Sequence, residues 1–354
     1  MSTPTSTATQ KALFLTKASG DFIVSNAPIY KPGKDEVLVK IHAAALNPAD
    51  WKVVTRFSHF LTDFPTVLGT DIAGEVVELG EGVTGFAIGD RVLFQGLYND
   101  NSHAGFQQYT TADVKTLAKI PSGISYDEAA SVPLALTTAW VGFYNENPNG
   151  LGFDAPTNAA ARGKYSDTPI IVIGGASSVG QLTIQTAKLS GFNPIITTAS
   201  IKHGDFLKSL GATHVLDRNA SLAGLKESIQ SITEKPVKVV VDAISSEETQ
   251  TLGFTLLAPG GQIAVNLPAI DLIKEEGPKE NKSLVYVLAT KQGYAELVQE
   301  MWTHVTKFLQ GGDIKPNRIE VLPKGLNGVV EGLKRLEENR VSGVKLVVRP
   351  QETA

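Results

Sequence analysis

Residues 168–180 read TPIIVIGGASSVG, and this stretch decides the fold of the chain. An apolar, β-branched run breaks into a glycine turn that opens a helix, which is the strand–turn–helix context that the pyrophosphate of a dinucleotide requires. Glycines permit a tight turn and a close approach of the backbone to phosphate, and the helix N-terminus offers free N–H groups to an anion. The residues predicted to bind the pyrophosphate are Gly174, Gly175, Ser177, Ser178, Val179 and Gly180.

The glycine spacing alone does not decide between a cofactor site and ordinary turn chemistry. The stretch reads Gly-x-Ser-x-x-Gly, which is an imperfect match to the dinucleotide fingerprint. The segment that follows decides the matter, because short apolar strands alternate there with helices, as in a parallel sheet covered on both faces. This alternation predicts a doubly wound Rossmann domain with the glycine turn after its first strand. The predicted strands are Ile170–Ile173, Ile195–Thr198, His214–Asp217, Lys238–Ile244, Gln262–Leu267 and Leu284–Ala289.

The remainder of the chain has a different pattern. Residues 11–134 contain short strands separated by glycine-rich turns, which indicates an irregular β-rich domain. Residues 305–354 are too few to form a core of their own, so we expect them to fold onto that domain, while residues 135–304 form the Rossmann domain. Residues 1–10 are rich in Ser, Thr and Ala and are predicted to be a disordered tail. The predicted fold class is therefore α/β, with a doubly wound Rossmann domain and an irregular β-rich domain.

Composition and charge exclude several classes of function. A net charge of −4 gives no broad basic field for nucleic acid or anionic lipid. Neither a charged-then-apolar leader nor a long apolar span is present, so we expect no signal peptide and no membrane helix. The chain has no cysteine, and its six histidines have no ligand spacing, so we expect no metal, no thiol catalysis and no disulfide. These features favour a cytoplasmic protein that acts on a small-molecule substrate.

Four phrases of the chain resemble one family. They are ALNPADWK at 45–52, GTDIAGEVV at 69–77, GDRV at 89–92 and VPLALTTA at 132–139. In this order they resemble the medium-chain dehydrogenase/reductase superfamily, in particular its zinc-independent quinone oxidoreductase and enoyl reductase branch and the fungal trans-acting, ToxD-like enoyl reductases. The resemblance extends from about residue 11 to 349 and implies that the β-rich domain is a GroES-like catalytic domain. Where zinc-dependent members have Gly-His-Glu, this chain has Gly69-Thr70-Asp71.

The second Rossmann strand indicates which nicotinamide cofactor is bound. NAD-preferring domains place an acid near its end, but the chain reads TTASIKH at 197–203. Ser200 and Lys202 are therefore predicted to bind the 2′-phosphate of NADPH, and Arg218 either binds this phosphate or stacks on the adenine. The alternative is that Ser200 caps the next helix and that the two cations are solvated surface charges. Leu267, after the fifth strand, is expected to lie against the nicotinamide, and the resemblance implies that Lys345 approaches the cofactor phosphates.

Without metal or thiol, the expected chemistry is hydride transfer from the nicotinamide to the C=C of an α,β-unsaturated carbonyl. The enolate that forms requires a hydrogen-bond donor. The resemblance implies that Lys52 is this donor and that Thr138 faces the nicotinamide; a snorkelling surface lysine and a packing threonine are the alternatives. Tyr98 is a candidate for protonating the α carbon, as is solvent. Weaker substrate-binding candidates are Asn47, His59 and Phe60, which equally fit loop-shaping or core roles.

Two other functions fit the same sequence. One is reduction of quinones or aldehydes on the same scaffold. The other is a catalytically silent, NADPH-binding sensor or scaffold, whose cofactor site would look identical. The last predicted strand, Leu284–Ala289, forms a sheet edge, and such edges pair across a dimer in many relatives. The sequence is therefore compatible with a monomer and with a homodimer.

Overall fold

The computed structural model describes residues 8–289 and 295–354, and the chain divides into two compact units. The first unit consists of Met1–Leu134, Val305–Gln310 and Pro316–Ala354, and the second of Ala135–His304 and Gly311–Lys315. The strands are β1 (Thr9–Leu15), β2 (Phe22–Pro28), β3 (Glu36–Ala45), β4 (Thr66–Val67), β5 (Asp71–Leu79), β6 (Arg91–Gln95), β7 (Tyr109–Asp113), β8 (Leu117–Lys119), β9 (Ile170–Ile173), β10 (Ile195–Ala199), β11 (His214–Asp217), β12 (Val239–Asp242), β13 (Gln262–Val265), β14 (Ser283–Tyr286), β15 (Ile319–Val321) and β16 (Lys345–Val348). The helices are α1 (Pro48–Thr55), α2 (Tyr126–Ala129), α3 (Pro133–Tyr144), α4 (Ser178–Ser190), α5 (Gly204–Leu210), α6 (Leu222–Ile232), α7 (Glu247–Leu256), α8 (Asp271–Glu276), α9 (Ala295–Gly311) and α10 (Val329–Glu337).

The second unit is built on a parallel sheet with the strand order β11-β10-β9-β12-β13-β14. Strand β9 is central, with β10 on one side and β12 on the other, so the order of the strands reverses beside it. This is the 3-2-1-4-5-6 order of a doubly wound Rossmann domain, and the prediction is confirmed. All four residues of β9 and of β12 are buried, as expected for strands covered on both faces.

The helix after the glycine turn begins and ends at residues that favour those positions. The Ser177 hydroxyl accepts a hydrogen bond from the Gly180 N–H at 3.0 Å and satisfies one of the free donors of the first turn of α4. The helix ends at Gly191, whose φ of 91° lies in the left-handed region that glycine adopts without a steric cost. Leu182, Ile184 and Ala187 of α4 are fully buried on different sides of the helix. Local signals therefore fix both the start and the end of this helix.

The first unit is β-rich, as predicted. Its larger sheet has the order β15-β16-β3-β5-β6-β8, with β7 also paired to β3, and a smaller sheet has the order β2-β1-β4. The expectation that the C-terminal segment joins this unit agrees with β16, where Val347 pairs antiparallel with Ala45 of β3. Buried aliphatic and aromatic side chains from the strands, α1 and α10 form one hydrophobic core.

Two residues of the predicted N-terminal tail belong to a strand. Strand β1 begins at Thr9, which pairs with Pro28, and Gln10 pairs with Ala27. These two residues are therefore part of a sheet, because the partner strand satisfies their backbone hydrogen bonds despite the polar composition of the segment. Residues 1–7 of the predicted tail lie outside the described residues. Within 8–289 and 295–354, no helix is both long enough and apolar enough to cross a membrane.

Candidate active site

The three glycines of the turn after β9 lie where a side chain could not be accommodated. Gly174 has a φ of 76°, in the left-handed region. A Cβ on Gly175 would lie 2.0 Å from the Thr197 Oγ1, and a Cβ on Gly180 would lie 2.3 Å from the Gly174 carbonyl oxygen. Each of the three glycines is thus required by local packing or backbone conformation, which brings the backbone of the turn against β10 and the start of α4.

The first turn of α4 fits a phosphate. Its N-terminal N–H groups on Ser178 and Val179 make no hydrogen bond to any described residue, whereas the Gly180 N–H is already bound by Ser177. Free backbone donors and the positive end of the helix dipole form an anion site. The residues predicted to bind the pyrophosphate therefore lie together in an arrangement that a dinucleotide fits, at the carboxyl end of the central strand.

The predicted 2′-phosphate residues lie beside one another at the same edge of the sheet. Ala199 of β10 pairs in register with Asp217 of β11, so Ser200 and Arg218 follow neighbouring positions. Ser200 occupies the N-cap position of the 3₁₀ turn Ile201–His203, but its hydroxyl makes no capping hydrogen bond. Lys202 and Arg218 are exposed and form no ion pair within the described part of the chain. The exposed cations and a free hydroxyl suit a phosphate, and exposure also fits the alternative of solvated charges. On the other side of β9, strand β13 ends at Val265, so Leu267 lies two residues beyond its carboxyl end and not in the strand as predicted.

Lys52 lies on the short helix α1 of the first unit. The Asp50 carboxylate accepts a hydrogen bond from the Asn47 N–H at 2.7 Å, which fixes the start of the helix. Lys52 is half-buried, its Nζ is 5.7 Å from the centre of the Trp51 ring, and no acidic group in the described residues pairs with it. Burial, followed by the charge of Arg56, lowers the pKa of Lys52. The result is a partly desolvated cation without a counter-ion.

A buried ion pair lies beneath the start of α1. The Lys345 Nζ is 2.8 Å from the Asp71 Oδ2, and the two side chains are 2% and 0% exposed. Asn47 bridges them, because its Nδ2 donates to Asp71 at 2.9 Å and its Oδ1 accepts from Lys345. The Leu134 N–H donates to the other Asp71 oxygen at 2.6 Å. The prediction that Lys345 reaches the cofactor phosphates is not supported, because its ammonium is enclosed and already bound. Asn47, similarly, is a structural bridge rather than an exposed substrate ligand.

Tyr98 is bound to the same helix. Its hydroxyl donates to the Asp50 Oδ1 at 2.8 Å. Burial raises the pKa of Asp50 to about 6, against the opposing effect of the hydrogen bonds from Asn47 and Tyr98. Burial and the Asp50 charge also raise the pKa of Tyr98 well above its usual value. A hydroxyl held by a buried carboxyl group and weakened as an acid is a poor proton donor, so the prediction that Tyr98 protonates the α carbon is not supported.

The remaining predicted residues are placed as follows. Thr138 lies on α3 and is 9% exposed. His59 and Phe60 lie in the 3₁₀ turn Ser58–Phe60, where both are exposed and their ring centres are 4.4 Å apart. They are therefore not ordinary core residues. The amide of Asn99 donates to the Phe60 carbonyl at 2.5 Å and ties this turn to the loop after β6.

His103 belongs to a network that the sequence did not indicate. Its Nδ1 is 3.0 Å from the Asp100 Oδ2 and its Nε2 is 2.8 Å from the Glu36 Oε1. Burial lowers the pKa of His103, but the two carboxylates outweigh this effect and raise it to about 9. The imidazolium fixes the loop after β6 to the start of β3. In the described residues, no three His, Asp or Glu side chains are grouped as metal ligands would be.

The second unit is a Rossmann unit with a glycine turn that fits phosphate, and the first is a β-rich unit with a partly desolvated lysine. These features are typical of a nicotinamide-dependent oxidoreductase. Two family models match the chain: the alcohol dehydrogenase GroES-like domain over residues 33–122 and the zinc-binding dehydrogenase domain over residues 178–303. The chain belongs to the medium-chain dehydrogenase/reductase superfamily and resembles its enoyl reductases.

Relatives and solved structures agree with this assignment. The trans-enoyl reductase himH of Aspergillus japonicus is 32% identical over 88% of this chain and 89% of its own length. The enoyl reductase component lovC of the lovastatin nonaketide synthase of Aspergillus terreus is 28% identical, with 91% of each chain covered. The quinone oxidoreductase of Coxiella burnetii has a TM-score of 0.73 and 26% identity, with 97% of this chain and 99% of that chain covered.

Proposed function

We propose that the protein is an NADPH-dependent reductase that transfers hydride to the C=C of an α,β-unsaturated carbonyl, an enone or an enoyl thioester, without a metal. When bound, the nicotinamide supplies the hydride, which adds to the β carbon. The π electrons move to the carbonyl oxygen, and the resulting enolate takes a proton from solvent at the α carbon. The single observation that carries the proposal is Lys52, a half-buried ammonium with no acidic partner in the described residues.

Lys52 has the properties that stabilisation of an enolate requires. A positive charge that is partly removed from water interacts more strongly with a developing anion than a solvated one does. Burial and Arg56 lower the pKa of its ammonium, which makes it a stronger hydrogen-bond donor. The buried Asp50 fixes the start of α1, so the lysine lies on an ordered element and not on a loop. The similarity to himH and lovC, which are named enoyl reductases, supports a C=C as the reducible group.

The proposal involves no metal because the chain lacks the residues that the zinc-dependent members use. It has no cysteine, and Thr70 stands where those members have a histidine. Quinone reduction is the second candidate function, and the likeness to the Coxiella burnetii quinone oxidoreductase favours it. The two functions differ in the product, because a saturated carbonyl compound forms from an enone and a hydroquinone forms from a quinone.

The proposed reaction is tested by following NADPH oxidation by the purified protein with a simple conjugated enone. We expect rapid oxidation of NADPH, slow oxidation of NADH and a saturated ketone as the product. The matched control substrate is that saturated ketone, which should not be turned over. Turnover of a quinone but of no enone would favour the second function, and failure to bind either nucleotide would contradict both.

The preference for NADPH is tested with the double variant Lys202→Ala/Arg218→Ala. Each charge-assisted hydrogen bond to phosphate contributes about 1.5–3 kcal/mol when formed, and less at an exposed site. We therefore expect the KM for NADPH to rise about 10–100-fold and the KM for NADH to stay within about twofold. Lys208→Ala, which removes an exposed lysine on α5, is the control. Equal changes for both nucleotides would show that these cations do not contact the 2′-phosphate.

A further inference from the structure

Two side chains fix the turn that follows β13. The Ser245 Oγ accepts a hydrogen bond from the Asn266 N–H at 2.8 Å. The Gln250 Nε2 donates to the Pro268 carbonyl at 3.1 Å, and the Gln250 Oε1 accepts from the Ile270 N–H at 3.1 Å. Every second residue of the turn is therefore bound by a side chain, either Ser245 in the connection between β12 and α7 or Gln250 on α7. The hydrogen bonds lie wholly within the second unit.

These two side chains are buried and joined to each other. Ser245 and Gln250 are 2% and 1% exposed. The Gln250 Nε2 also donates to the Ser245 carbonyl at 3.0 Å, and the Ser245 hydroxyl donates to the Asp242 carbonyl at 2.8 Å. Ser245 has a φ of 60°, an uncommon backbone conformation that is stabilised here because the Asp242 Oδ1 accepts its N–H at 2.9 Å. A buried hydrogen-bond network of this kind makes the enclosed backbone rigid.

The network lies where half of a dinucleotide must bind. Dinucleotides cross the carboxyl edge of a Rossmann sheet at the strand where the order reverses, with the adenosine ribose at the end of the second strand. The second strand here is β10, so the nicotinamide half lies on the opposite side of β9, over the ends of β12 and β13. The glycine turn lies against Ile244, the residue before Ser245, because a Cβ on Gly174 would lie 2.4 Å from the Ile244 Cγ1.

We propose that Ser245 and Gln250 are positioning residues that fix the turn at 266–270 against the nicotinamide half of the bound cofactor. This inference rests on the proposed function in taking NADPH as the ligand. Neither side chain needs to touch the cofactor, since each acts through the backbone that it binds. Loss of either one releases hydrogen bonds of the turn and leaves the adenosine end, over β10 and β11, unchanged.

The test compares two ligands that share the adenosine half. The dissociation constants of NADPH and of 2′,5′-ADP, which lacks the nicotinamide, are measured for the wild type and for Gln250→Met. Removal of the amide while volume is retained should raise the dissociation constant of NADPH about tenfold, since three hydrogen bonds to the turn and to Ser245 are lost. The dissociation constant of 2′,5′-ADP should stay within about twofold. Glu248→Met, an exposed position on α7, is the matched control and should change neither value.

Two outcomes would overturn the inference. Equal weakening of both ligands would mean that Gln250 supports the unit as a whole, and unchanged binding of both would mean that the network does not position the cofactor. If Gln250→Met does not fold, the same two dissociation constants are measured for Ser245→Ala, which removes the hydrogen bond to the Asn266 N–H. A wild type that binds neither ligand would refute the proposed function itself. If the wild type binds both ligands but the variants change both dissociation constants equally or not at all, only the role of the network is refuted.

Discussion

We expect Lys52→Met to lower kcat/KM for a conjugated enone about 10²–10³-fold, the usual effect of removing a donor to a developing oxyanion. Methionine keeps the length and the apolar packing against Trp51 but removes the charge. Because the lost interaction strengthens as the enolate forms, the decrease should appear mainly in kcat. Steady-state kinetics with the enone and saturating NADPH measure the change.

The control for this variant separates loss of chemistry from loss of structure. Lys115→Met removes an exposed lysine in the same unit and should leave kcat/KM within about twofold of the wild type. The dissociation constant of NADPH should be unchanged in both variants, since the phosphate turn belongs to the other unit. An enone kcat/KM for Lys52→Met within about threefold of the wild type would contradict the proposed role of the lysine.

The Rossmann unit could be predicted because its signals are local. The strands Ile170–Ile173 and His214–Asp217 have the predicted bounds. β-branched runs, serine caps and C-terminal glycines each act within a few residues, so their effect can be read from the sequence. The relative order of the strands then follows from the handedness of the crossovers.

One helix was missed despite a usable signal. Helix α9 is absent from the sequence-based prediction, although Val298, Met301, Trp302 and Val305 are all buried and recur at helical spacing. The segment lies after the last Rossmann strand, where the alternation of strands and helices no longer guides the assignment. The spacing of its apolar residues would have identified it.

The contacts of the candidate site could not be predicted for a physical reason. Tyr98 and Asp50 are 48 residues apart, and Lys345 and Asn47 are 298 apart. Lys345 reaches Asp71 only because β16 pairs with β3 and β3 pairs with β5 in one particular register. A lysine before an apolar strand is usually exposed, and no local pattern distinguishes it from one that is buried with a counter-ion.

The buried ion pair gives the largest expected effect on stability. We expect Lys345→Met to lower the free energy of unfolding by about 3–5 kcal/mol, because Asp71 would remain buried without its counter-ion. The Asn47 Oδ1 would also lose its donor, so the start of α1 would be weakened. Urea unfolding monitored by circular dichroism measures the change, and Arg340→Met, which removes two exposed ion pairs, should leave the free energy of unfolding nearly unchanged.

A second variant shows whether the cost arises from the unpaired charge. In Lys345→Met/Asp71→Asn the carboxylate is neutralised, and the amide of the new side chain still lies near Asn47 and the Leu134 N–H. We expect the double variant to regain at least half of the lost stability, since an uncompensated buried charge costs more than a polar amide. A single variant that loses less than about 1 kcal/mol would contradict this account. Since Lys345 is enclosed by Asp71 and Asn47, the affinity of the folded protein for NADPH should not change in either variant, which distinguishes a structural lysine from one that binds phosphate.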